Sequence, residues 1–203
     1  STQGYSSAAS DVYKRQASLK EIKARIASVN NTLKITSAMK MVASAKLHRV
    51  QNVAEGLAAY SERLADIAAA LTADPELEVS SPLAEPHEAR RRAVVVAVSS
   101  DGSLCGAFNA NVIRLLHAEV ESLRGQGFEA VEVWPVGEKI AQAARKAGFD
   151  VCDDFRKLAS KATSGDAAAL AQRLMDRYEA GGIDRAVLVY THFHSCLLYT
   201  SDA

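Results

Sequence analysis

Apolar residues return every seven positions along the first third of the chain. Ile22, Val29, Thr36, Ala43, Val50, Leu57, Leu64 and Leu71 mark one seam position, and Ile26, Leu33, Lys40, Leu47, Ala54, Ser61 and Ala68 mark the other. Residues 18–72 hold one glycine and no proline, and Ser18-Leu19-Lys20-Glu21 has the spacing of a capping box, so a single long helix is predicted there. Asp74-Pro75 ends it, because the proline ring removes an amide donor. A seven-residue seam held this long calls for a left-handed supercoil with a second long helix. No other stretch of these 203 residues has that length, so the mate is expected on another chain or on sequence missing from this one.

The period then changes. A connection with Pro82, Pro86 and the basic triplet Arg90-Arg91-Arg92 leads into Ala93-Val94-Val95-Val96-Ala97-Val98, a β-branched run of the kind buried on both faces of a parallel sheet. A polar turn follows, then a helix over 109–124 with Val112, Leu115, Leu116, Val120 and Leu123 on one face, stopped by Gly125 and Gly127. The cycle repeats with a strand over 131–136, a helix over 138–147, a short strand over 149–152, a helix over 167–180 capped by Ser164-Gly165-Asp166, and a strand over 186–191. Strands alternating with helices give parallel strands and right-handed crossovers. The predicted fold is α/β: a long N-terminal coiled-coil helix (17–74), a linker (75–92) and an incomplete three-layer, Rossmann-like α/β domain (93–195), with the sheet stopping at His194. Residues 1–16, polar and expected to be structureless, and residues 196–203 are both expected to be non-native tails; the first methionine is Met39, in mid-helix.

Charge adds one local feature. The 24 basic residues balance the 24 acidic ones, so no overall field points to nucleic acid or a membrane surface. Within the helix, however, Lys20, Lys23, Arg25, Lys34, Lys40, Lys46 and Arg49 face a single acid, Glu21, before Glu55, Glu62 and Asp66 reverse the sign. No apolar run approaches the roughly 20 residues that span a bilayer. The three cysteines, Cys105, Cys152 and Cys196, have neither zinc-site nor disulfide-framework spacing.

Candidate chemistry is sparse. The turn 101–106 lies where a doubly wound sheet binds nucleotide, yet it has neither G-x-G-x-x-G nor G-x-x-x-x-G-K-[ST], which favours a structural or partner-facing loop. Cys105 sits at a strand-to-helix turn where a helix dipole would activate a thiol, but no histidine spacing supplies a base, and a small buried thiol is the plainer reading. His192-x-His194 lacks a third metal ligand. The basic half of the helix fits either a solvated face or a phosphate-tracking arm. Met39 and Met41 fit neither. Thr36 and Lys40 weaken the seam there, while Ile35, Met39 and Val42 build a second apolar stripe, so one stretch of helix presents apolar surface in two directions. That suits a shaft gripped by surrounding surfaces. An α/β domain with a basic coiled-coil arm for nucleic acid or a small ligand remains the alternative at this stage.

The run from Ile22 through Arg25, Ser28, Asn31, Lys34, Ile35, Thr36, Met39 and Met41 to Ala43 resembles the N-terminal signature of the F-type ATP synthase gamma subunit. The loop Ser100-Asp101-Gly102-Ser103-Leu104-Cys105-Gly106-Ala107-Phe108-Asn109 is similar to that family's second motif, with Gly102-Ser103 where Arg-Gly is common. The resemblance implies a non-catalytic rotor shaft whose N-terminal helix pairs antiparallel with a C-terminal helix. Its implied partners are the alpha and beta subunits of the catalytic ring, the epsilon subunit and the c-subunit ring, with no cofactor, no metal, no nucleic acid and no membrane insertion. Its implied location is the cytoplasmic side of the bacterial inner membrane, held peripherally. Carried onto this sequence, the partner interface comprises Lys34, Ile35, Met39, Lys40, Met41, Val42, Asp101 and Ser103, with Met39 and Lys40 facing an acidic loop of beta. The strong seam positions are Ile22, Ile26, Val29, Leu33, Leu47, Val50, Leu57, Leu64 and Leu71.

Overall fold

The computed structural model describes residues 4–73, 81–193 and 199–202, and they divide into two compact units at residues 77 and 78. The first unit is one helix, α1 (Gly4–Ala73), of 70 residues. At 1.5 Å per residue it is roughly 105 Å long. It runs through the start expected at Ser18 and through residues expected to be structureless. A capping box starts a helix only where the preceding residues leave helical geometry, and nothing between Gly4 and Ser18 forces them out: the segment has no proline and carries alanine at 8, 9 and 17.

The second unit is built on a five-stranded sheet in the order β3-β2-β1-β4-β5. Its elements are β1 (Arg92–Val98), α2 (Phe108–Gly125), β2 (Ala130–Val136), α3 (Glu138–Lys146), β3 (Asp150–Val151), α4 (Leu158–Lys161), α5 (Ser164–Glu179), β4 (Arg185–Phe193) and β5 (Tyr199–Asp202), with a 3-10 turn at Asp153–Phe155. β1 pairs in parallel with β2 and β4, and β2 with β3, as the alternation predicted. The sheet does not stop at His194, which itself lies outside the described residues. β5 adds an antiparallel edge strand, with Thr191 opposite Ser201. The helix expected from Ala167 behind a Ser164-Gly165-Asp166 cap begins three residues earlier, at Ser164: Thr163 is the cap, its hydroxyl accepting from the Asp166 amide (3.2 Å) while Asp166 accepts from the Thr163 amide (3.0 Å).

Alternation along β1 sorts the core into two layers. Ala93, Val95 and Ala97 join Val131, Val133 and Val189 beneath Val112, Leu116, Val120 and Leu123 of α2 and Ile140 and Ala144 of α3. Val94 and Val96 face the other way, with Trp134, Val136 and Ile183, toward Leu170, Leu174 and Tyr178 of α5. The Trp134 ring stacks against Phe155, and the Arg173 and Arg177 guanidiniums each lie 5.4 Å from its centre. These arginines are held in turn by Asp154 and by Glu132 (2.8 Å). This is the predicted three-layer α/β arrangement.

The end of the connection is fastened rather than loose. His87 stacks on Tyr178 with ring centres 4.1 Å apart, and its Nδ1 lies 3.3 Å from the Asp184 carboxylate. The other carboxylate oxygen accepts from the Arg91 and Arg92 amides (2.9 and 3.0 Å), and the Tyr178 hydroxyl donates to the Glu85 carbonyl (2.7 Å). Burial alone would raise the Asp184 carboxyl; the Arg92 and Arg91 amides and His87 outweigh it and hold the group below the usual carboxylate range.

Candidate interaction surface

The seam residues of α1 all face solvent: Ile22, Ile26, Val29, Leu33, Leu47, Val50, Leu57, Leu64 and Leu71 are exposed. A row of exposed leucine, isoleucine and valine this long is the signature of a surface whose partner is elsewhere. Where the seam weakens, the threonines satisfy themselves. Thr32 donates its hydroxyl to the Ser28 carbonyl (2.9 Å) and Thr36 donates to the Thr32 carbonyl (2.8 Å), so at these positions the helix offers methyl groups rather than free hydroxyls.

At 100° per residue, Ile35 and Val42 lie on the far side of the helix from the seam and Met39 about 90° from it, on its flank. Met39 is 55% exposed and Met41 70% exposed, the latter beside a shallow groove lined also by Ser37, Lys40, Ser44, Ala45 and His48. Lys34 and Lys40 are exposed on the same turns. The helix therefore gathers Lys34, Ile35, Met39, Lys40, Met41 and Val42 into one collar that is apolar and basic on several sides.

Asp101 and Ser103 belong to the other unit. The residues after β1 form a loop whose polar groups are largely spent on one another. The Ser100 amide donates to Asn109 Oδ1 (3.1 Å), the Ser100 hydroxyl donates to the Gly102 carbonyl (2.9 Å), and Asn109 Nδ2 donates to that same carbonyl (2.9 Å) and lies 3.1 Å from Cys105 Sγ. Asn109, only 9% exposed at the start of α2, is the hub. Sequence reasoning gave it no role; its one signal was an amide side chain at a helix start directly after a glycine-containing turn. Cys105 is thus a half-buried member of the loop, not the buried thiol expected.

The same loop caps a different helix. β1 and β2 run side by side in register, Val98 opposite Val136, so the turn after β1 meets the start of α3. The first amides of α3 would otherwise lack acceptors. Glu138 N–H donates to Asp101 Oδ1 (2.9 Å), Lys139 N–H to the Ser100 carbonyl (3.4 Å), and Ile140 N–H to Ser99 Oγ (3.0 Å). Gly137, at φ 117°, makes this approach possible: a Cβ there would stand 2.4 Å from the Ser99 carbonyl oxygen. With the loop braced, Ser103 is exposed and, among the described residues, Leu104 is the most exposed large apolar side chain, at 92%.

Among the described residues, no group of three histidine, cysteine or acidic side chains is placed to hold a metal, and no helix is long and apolar enough to cross a membrane.

Comparison with known proteins agrees with the resemblance read from the two motifs. Residues 18–202 match the protein family described as ATP synthase. The ATP synthase gamma chain of Phocaeicola vulgatus is 49% identical over 180 residues, covering 88% of this chain and 61% of that protein. The gamma chain of Bacteroides thetaiotaomicron is 47% identical, covering 88% and 59%. The central stalk and c-ring structure of the Tetrahymena thermophila mitochondrial ATP synthase overlays more loosely, at 23% identity and a TM-score of 0.49, over 83% of this chain and 70% of that one. The chain thus spans about three fifths of the length of these curated relatives. By the match over 18–202 and the identity to these bacterial proteins, the chain belongs to the ATP synthase gamma-chain family.

Proposed function

We propose that this chain is part of the central rotor shaft of an F-type ATP synthase, coupling proton-driven rotation to ATP synthesis without making or breaking a bond itself. The observation that carries the reading is the two-sided exposure of α1: an apolar seam along its length and, around Met39, a second apolar and basic face. A helix with one mate needs one stripe. A shaft that pairs with a mate and also turns inside a ring needs two.

In this reading the alpha and beta subunits surround α1, the epsilon subunit and the c-ring meet the α/β unit, and the complex sits peripherally on the cytoplasmic side of a bacterial inner membrane. The basic collar Lys34 to Lys40 complements an acidic surface of beta, and Met39 adds apolar contact. Coupling follows from asymmetry: a shaft that touches three catalytic sites differently stabilises a different conformation at each, so rotation changes their nucleotide affinities in turn.

Co-expression of the full gamma-type chain carrying this sequence with alpha and beta chains tests it. The expected result is a stoichiometric assembly that hydrolyses ATP; recovery of the chain without them overturns the reading. Within such an assembly, Met39→Lys is expected to leave subunit recovery unchanged and to lower proton pumping per ATP hydrolysed, measured by acidification of sealed vesicles.

A further inference from the structure

The two faces of β4 are treated unequally. β4 is an interior strand, between β1 and β5, and interior strands of a three-layer sheet are covered on both sides. Val187 and Val189 turn to the α2 layer and pack there. Ala186, Leu188 and Tyr190 alternate to the other face, and all three are exposed, Leu188 by 50%. Their neighbours one strand over, Val94 opposite Ala186 and Val96 opposite Leu188, are buried on that same face. The cover over β1 therefore ends before β4.

α5 supplies that cover, and its own pattern shows why it ends. Leu170, Leu174 and Tyr178 pack down on the layer of Val94, Val96 and Trp134. Arg173 and Arg177, on one flank of the helix, lean over the Trp134 ring of β2. At 100° per residue, Ala171 and Met175 fall on the opposite flank, which is small and apolar where the first is charged. Exposed Leu83 closes one end of the trough, and with Met175, Tyr178, Ile183 and Ala186 it lines a shallow groove of about 350 Å³. An apolar strand as floor and an apolar helix flank as wall form a seat for one more helix beside α5, at the roughly 8–10 Å spacing of packed helices.

The course of the chain indicates what fills it. β5 runs antiparallel to β4, from Tyr199 opposite Phe193 back to Asp202 opposite Tyr190. Chain leaving β5 thus starts out beside the floor of the trough, where a tethered segment has an effective concentration that a dilute free partner does not match. The curated gamma chains have the length to supply such a segment, since this chain spans about three fifths of them. We propose that the exposed face of β4, with Leu83, Ala171 and Met175 around it, seats an amphipathic helix from the part of the full-length gamma-type chain that follows residue 203. That helix completes the layer that α5 begins. The proposal rests on membership of the family and not on the rotor reading, and its test needs no other subunit.

Cysteine protection in the full-length gamma-type chain carrying this sequence, purified alone, tests it. With the native cysteines replaced by serine, Leu188→Cys is expected to react with a maleimide about tenfold or more slowly in the full-length chain than in these 203 residues, because reaction must wait for local opening. Glu121→Cys, exposed on α2 at the other face, is expected to react equally in both. Leu188→Glu is expected to lower the melting temperature of the full-length chain by about 4 °C or more and to leave that of the 203 residues nearly unchanged. Equal labelling of Leu188→Cys in the two chains overturns the proposal. So does protection that appears only as the concentration of the full-length chain is raised, which would give the seat to a second copy, or only when alpha, beta or epsilon chains are added, which would give it to a partner.

Discussion

The helix and the α/β unit treat the same residue types in opposite ways. In the α/β unit valine, leucine and isoleucine are fully buried on both faces of β1 and under α2, and even the exposed loop after β1 satisfies its polar groups internally. In α1 the same three residue types stand exposed from Leu19 to Leu71. One unit packs most of its apolar residues, leaving Leu83, Leu104, Leu188 and Tyr190 exposed; the other leaves its whole seam uncovered. The difference lies in the hydrophobic period. A run of valines closed by turns folds back on its own neighbours, whereas a seven-residue period on a straight helix can be satisfied only by another helix.

The largest effect that would break this contrast is at Trp134. Its ring is fully buried between Phe155 and the Arg173 and Arg177 guanidiniums. Trp134→Ala is expected to cost about 3–5 kcal/mol in urea unfolding followed by near-ultraviolet circular dichroism. A cost no larger than that of a surface substitution would mean the layer around Trp134 is not packed as described.

Next in size is Gly137→Ala. The residue has φ 117°, and an added Cβ would collide with the Ser99 carbonyl, so the change should cost about 2 kcal/mol or more. It should also loosen the cap on α3, read as faster amide exchange at Glu138 and Ile140. Exchange unchanged at those two amides would show that the loop after β1 does not brace α3.

Much of this was legible in the sequence, and the parts that were not have a common cause. The α/β order, the parallel strands and the two-faced burial of β1 follow from local period and turn residues, and all are present. The collar around Met39 was visible because Thr36 and Lys40 interrupt the seam. What escaped were contacts between residues far apart in the chain. Asp101, carried over as an interface residue, has one carboxylate oxygen engaged by the Glu138 amide, and nothing in its neighbours announces that. The same holds for His87, which reads as linker and instead joins Tyr178 and Asp184. The upstream course of α1 escaped for a different reason: a capping box competes with continuation, and an alanine-containing segment without proline continues.

The His87 fastening gives a pH test of intermediate size. The Asp184 carboxyl is held below its ordinary value in the folded chain, so its contribution is fully present above the unfolded carboxylate pKa of about 3.9 and is lost as pH falls through the folded value. Asp154 and Asp166 shift the same way and act with the same sign. Asp184→Asn should therefore be less stable than the parent at neutral pH, with the gap closing as pH falls toward the acid limit. Denaturant midpoints measured from neutral to acid pH check it, and a gap of constant size would place the Asp184 contribution in packing rather than charge.

The smallest expected effect is the sharpest test of the contrast. Leu33 is chemically identical to Leu116, yet it is 65% exposed where Leu116 is fully buried. Leu116→Ala removes atoms from a packed layer and should cost about 2–5 kcal/mol. Leu33→Ala leaves no cavity in the chain alone and improves helix propensity slightly, so it should fall within about 0.5 kcal/mol of zero. The silence should end when a mate is supplied. With a long partner helix seated on the seam, Leu33 becomes a knob in a hole, and its truncation should then destabilise the pair as a core substitution does. Thermal melts of the chain alone and with a heptad-matched partner peptide, for parent and Leu33→Ala, give the difference directly. A clear loss of stability in the chain alone would mean that the seam is already covered. No added loss with the partner present would mean that the seven-residue period is not the surface the mate reads.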